Sequence, residues 1–136
     1  MAQTPQPPAM VADVFAQIET PYRDVLMDTR KLIFDVAASD PRIGALEETL
    51  RWGEPAYVTT RKKTGSTIRL GVAKASGTPA LFFNCQTRIV EEMRVRFGTE
   101  LTYEKNRAIL LDEKGLAAPD ALGIAIAAAL TYHLRG

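Results

Sequence analysis

The sequence predicts an α+β fold: an antiparallel sheet of about five strands, the usual sheet size, with helices packed mainly on one face. Three observations carry this. Apolar residues recur at helical spacing near both ends of the chain and once in between. The middle of the chain alternates in polarity or is rich in β-branched residues, as strands are. The connections between these runs are short and built from Gly, Pro and Lys, so successive strands pair antiparallel and need no long crossover.

The elements follow in order. Residues 1–8 are rich in Pro and Gln and read as a flexible tail ahead of a single domain over 9–136. Met10, Val11, Val14, Phe15 and Ile18 predict an amphipathic helix over 9–19. Thr20-Pro21 restarts the pattern, with Thr20 as a cap and Pro21 in the first turn of a helix over 21–38. Residues 43–52 fit a short helical turn leading into a strand near Trp52, and Gly53-Glu54-Pro55 reads as a bend. Strands are predicted over 57–61, 67–72 and 80–85, separated by a loop at Lys62–Ser66 and a turn at Lys74–Pro79. Thr87 is positioned to cap a third helix, with Glu91 and Glu92 near its positive end and Gly98 at its stop. Strands over 101–104 and 108–111 flank Lys105-Asn106-Arg107, a loop covers 112–118, and Pro119 opens the last helix.

Composition narrows the function classes. The 136 residues fit one domain able to bury a core. Seventeen Lys and Arg against sixteen Asp and Glu leave a net charge of +1, which gives no electrostatic case for nucleic acid as the main partner. Cys85 is the only cysteine, so no intrachain disulfide forms. No signal peptide and no membrane span are legible, and the expected setting is the cytoplasm.

The stretch Glu48-Thr49-Leu50-Arg51-Trp52-Gly53-Glu54-Pro55-Ala56-Tyr57 holds the only tryptophan amid charge. It resembles the signature of the YdhG-like family of small bacterial domains of unknown function: an acidic pair, an apolar-basic step, an aromatic-Gly-x-Pro core and a later aromatic. Leu81–Thr87, Val90-Glu91 and Asn106–Leu110 resemble a subgroup of that family, and the likeness runs from about Pro21 to His133. The resemblance implies a single α+β domain related in shape to frataxin-like folds, with no established catalytic residues. Some relatives are described as iron chaperones, which makes iron the alternative to no cofactor at all. That role leans on an acidic ridge. Here Asp24, Asp28, Asp35 and Asp40 are the candidates, and Lys31 interrupts them.

Candidate site residues follow from chemistry. Trp52, Tyr57, Arg51, Glu48 and Arg69, with Asn84, Gln86 and Arg107, are placed to meet at one end of the sheet. Aromatic walls with a few polar groups make a small-ligand pocket, and the planar guanidinium fork suits carboxylate or phosphate. The plainer reading has Trp52 and Tyr57 anchoring the strands, with Glu48 or Glu54 paired to an arginine. Asp24, Asp28 and Asp35 share a helix face and are weak candidates for a hard cation; a solvated face is the plainer reading. Cys85 before a helix start is a candidate nucleophile, but the lone His133 forms no Cys-His signature with it, and a buried core cysteine is the plainer reading. The leading expectation is a non-enzymatic module binding a small molecule or a protein partner, with an iron chaperone and a Cys85 thiol enzyme as alternatives.

Overall fold

A computed structural model describes residues 4–135; the start of the expected tail, residues 1–3, lies outside the described residues. The fold is α+β. The elements run α1 (Ala9–Ala16), α2 (Tyr22–Ser39), β1 (Glu47–Arg51), β2 (Glu54–Val58), β3 (Ile68–Val72), β4 (Pro79–Phe82), α3 (Ile89–Phe97), β5 (Thr102–Glu104), β6 (Ala108–Leu110), α4 (Glu113–Leu116) and α5 (Pro119–Leu130). The sheet has six strands, one more than expected, in the order β1-β2-β3-β4-β6-β5, and every neighbouring pair is antiparallel.

The additional strand comes from the stretch read as a helical turn leading into a strand near Trp52. Ile43 closes a turn and is buried, and Glu47–Arg51 then pairs residue for residue with Glu54–Val58. Trp52 and Gly53 form the two-residue loop between them, with φ of 51° and 75°. Positive φ at both loop positions marks a type I′ turn, whose twist matches that of the flanking strands. So Gly53-Glu54-Pro55 is a hairpin tip entering a strand and not a free bend. Pro55 has no N–H to offer β3, and the β2–β3 pairing ends one residue later at Ala56↔Arg69.

Strand alternation sorts the side chains into two faces. Tyr57, Ile68, Leu70, Leu81 and Ile109 point towards the helices and join Leu26, Ile33, Ile89 and Ile126 in the main core. The alanine face of α5 is spent inside this core, with Ala125 and Ala129 fully buried. Among the described residues the opposite face carries no helix. Arg69, Phe82, Ala108 and Glu104 follow one another across it, strand by strand. Small side chains at Ala73, Ala80 and Ala108 form a second, smaller apolar cluster there with Phe82 and Leu110.

Helix ends depart from the expected caps. Thr20–Pro21 is a cis peptide bond and Thr20 does not cap α2. Arg23 instead satisfies the end of α1, its guanidinium donating to the carbonyls of Phe15, Ala16 and Ile18 at 2.9–3.0 Å. Thr87 does not cap α3; its hydroxyl donates to the Asn84 carbonyl at 2.7 Å, and the helix begins at Ile89. Among the described residues no helix is long and apolar enough to cross a membrane.

Candidate functional site

The helix-free face is bordered by two flanks. On one flank the β1–β2 hairpin ends in Trp52. On the other, the three-residue loop Lys105-Asn106-Arg107 joins β5 to β6. That loop is clamped from α3: Arg94 donates to Asn106 Oδ1 at 2.7 Å and to the Lys105 carbonyl. The Phe83 amide donates to the Arg107 carbonyl at 2.6 Å, which ties the loop to the end of β4.

Between the flanks lies a cavity of about 480 Å³ lined by Arg51, Trp52, Thr67, Arg69, Phe83, Asn84, Cys85 and Arg107. A second cavity of about 350 Å³ shares Trp52, Arg69 and Arg107 with it and adds Glu54, Val72, Lys74, Ala75, Phe82, Glu104 and Lys105. Volumes of this order are those of small-ligand sites. The larger cavity has three guanidinium groups and no carboxylate in its lining.

Arg69 is one of the three residues common to both. It pairs with Glu54, and its guanidinium lies over the Trp52 ring at 5.0 Å and the Phe82 ring at 5.2 Å. Gly71 makes this possible, because a Cβ there would occupy the position of the Glu54 carboxylate. Burial pushes the Glu54 carboxyl up, against the pull of Arg69 and Lys74. Trp52 is 86% exposed, the largest apolar side chain so presented.

Five of the eight expected ligand residues, Arg51, Trp52, Arg69, Asn84 and Arg107, therefore meet at one cavity. Glu48 and Tyr57 lie on the other face of the sheet. The Glu48 carboxylate accepts from Arg30 Nε at 2.6 Å, Arg30 Nη2 at 2.8 Å and the Tyr57 hydroxyl at 2.8 Å. Arg30 and Glu48 side chains are only 4% and 5% exposed, so these groups build the core and face no ligand. Burial and the Glu48 charge push the Tyr57 hydroxyl far up, so it stays a donor. Gln86 is exposed but lines neither cavity; its backbone N–H donates to Asn84 Oδ1 at 2.9 Å, fixing the turn after β4. Cys85 is exposed on the cavity wall and not in the core, because β4 ends at Phe82 and the strand alternation ends with it. His133 is not among the lining residues.

The acidic candidates on α2 do not gather. Asp35 is paired with Lys31 at 2.8 Å, and among the described residues no group of three His, Cys, Asp or Glu is placed to hold a metal ion. Phe82, Lys74, Glu104 and Lys105 escaped the sequence reading, and Glu54 was expected only as the partner of an arginine, which it is for Arg69. Arg69 and Phe82 pair across β3 and β4, so the strand register would have found Phe82. Comparisons of the chain with protein-family models, with curated proteins and with solved structures returned no match.

Proposed function

We propose that this chain is a binding module that takes a small ligand in the cleft between the Trp52 hairpin and the Lys105–Arg107 loop. One observation carries the reading: an exposed tryptophan, three arginines and an asparagine converge on one carboxylate-free cavity. A thermal-shift screen of small organic acids and phosphates tests it, because a ligand that binds only the folded state raises apparent stability. At least one class is expected to stabilise the wild type and to lose that effect in Arg107→Ala. Equal stabilisation of both proteins places binding elsewhere and rejects the reading. A protein partner would use the same anchors, since Trp and Arg dominate binding hot spots, but the concavity favours a small molecule.

A second reading, thiol chemistry, is favoured by the exposure of Cys85 on the same wall. Alkylation by iodoacetamide faster than that of free cysteine supports it, and slower labelling counts against it.

A further inference from the structure

We infer that the ligand of this cleft is a flat ring bearing a carboxylate or phosphate, with the ring on Trp52 and the anionic group on Arg51 and Arg107. This rests on the binding role proposed above and adds the class of ligand.

The ring half follows from Trp52. A bulky residue at φ 51° is a backbone outlier, and a type I′ turn is better served by Asn. The fold gains little from the side chain, which is 86% exposed. Outliers of this kind point to function. Arg69 lies over the indole and steadies it as a platform. The indole offers a π-face to any flat ring.

The anion half follows from how the arginines are spent. Arg69 is engaged by Glu54 and stacked on two rings, so its charge is already compensated. Among the described residues no carboxylate pairs with Arg51 or Arg107, and both line the carboxylate-free cavity beside Trp52. Guanidinium groups without a partner select carboxylate or phosphate, through two parallel N–H donors. A volume of about 480 Å³ suits a fused ring with one such group.

Calorimetric titration of the whole chain at low salt with 2-naphthoate, 2-naphthyl phosphate, 2-naphthamide and inorganic phosphate tests this. One or both of the anionic naphthyl probes are expected to bind at least about tenfold tighter than 2-naphthamide or inorganic phosphate. Their ratio separates a carboxylate from a phosphate ligand. Arg51→Ala with Arg107→Ala should reduce the binding to that of 2-naphthamide. Trp52→Asn should reduce it to that of inorganic phosphate without lowering the melting temperature, since Asn suits the turn. If 2-naphthamide binds as tightly as the anionic probes, or inorganic phosphate binds as tightly as both and ignores Trp52→Asn, the ligand class is wrong while the cleft remains a site. Binding that ignores all these variants also overturns the inference. If no probe binds, the ligand class and the binding role fall together.

Discussion

Trp52 sits where its own backbone disfavours it. An L-residue in the left-handed region costs roughly 1–2 kcal/mol, a cost that Asn largely escapes. With the ring 86% exposed, little apolar burial offsets it. Trp52→Asn is therefore expected to stabilise the fold by about 1 kcal/mol in urea unfolding, while weakening any ligand that uses the indole. A destabilised Trp52→Asn protein would show instead that the Arg69–Trp52 contact is structural. Glu54 gives a second residue-scale expectation. Its carboxyl is pushed up by burial, so the folded protein holds that proton more tightly than the unfolded chain. The contribution of Glu54 to stability is then greatest below the ordinary carboxylate range and is lost as pH rises through its raised value. Asp40, held down by Arg42, works in the opposite sense, so the comparison must isolate Glu54. From about pH 4 to about pH 7 the melting temperature of the wild type should fall relative to that of Glu54→Gln; a relative rise refutes it. Side chains lining the cleft were legible by type: arginine, tryptophan and asparagine were all among the expected lining residues. Their faces were not. Glu48 and Tyr57 looked like members of the same group until the register placed them opposite one another on the helix side.

At the level of elements, the sequence reading succeeded where periodicity is long and failed where a turn sets the pattern. α2 was expected over 21–38 and runs Tyr22–Ser39. β1 was expected only as a strand near Trp52 after a helical turn, because Trp-Gly is not a recognised type I′ pair and the strand was placed on the turn itself. Without that hairpin the register of β2 stayed open, and with it the composition of the site. The loop after β2 is a related case. Arg61, Lys62 and Lys63 are exposed, as charge predicts, but the next three residues dock on α5. Thr64 Oγ1 donates to the Leu130 carbonyl, the Ser66 amide to the Ala129 carbonyl, and the His133 amide to the Thr64 carbonyl, all at 2.8 Å. Carbonyls left open at the helix end are thereby satisfied. Gly65 lies flat against this junction: a Cβ there would stand 2.5 Å from the backbone of Leu130. Backbone cannot swing aside as a side chain can. Gly65→Ala is thus expected to cost about 1–3 kcal/mol, the range of overpacking in a closed interior. Chemical denaturation measures it; a change within experimental error would mean that the loop lifts from α5 at no cost.

Across the whole molecule the sheet separates two tasks. One face is committed to helices and core, the other is left free as a cleft, and residues two apart on a strand share a fate while neighbours do not. The buried group Arg30–Glu48–Tyr57 holds the committed side together. It ties α2 to β1 and β2, and Arg30 Nη2 also donates to the Pro5 carbonyl at 2.6 Å, bringing the N-terminal segment into the same knot. The Arg30 guanidinium lies over the Phe34 ring, and Phe34 meets Tyr57 edge to face. Every buried side-chain nitrogen and oxygen among the described residues has a hydrogen-bond partner, so removing one member strands the others. Glu48→Ala leaves an uncompensated guanidinium in the interior, which typically costs about 3–5 kcal/mol. Tyr57→Phe removes one hydrogen bond to a carboxylate and should cost about 1.5–3 kcal/mol. The two losses should not add, because both act on the same carboxylate and the double variant has only one network to lose. Urea unfolding of the two single variants and the double variant checks this, and simple additivity would show that the Tyr57 hydroxyl acts independently of Glu48. Titration of the cleft in Tyr57→Phe measures whether the two faces are coupled. If the two faces are independent, ligand affinity stays that of the wild type even as stability falls; an affinity that drops in parallel would mean that the core sets the spacing of Trp52 and Arg107 across the sheet.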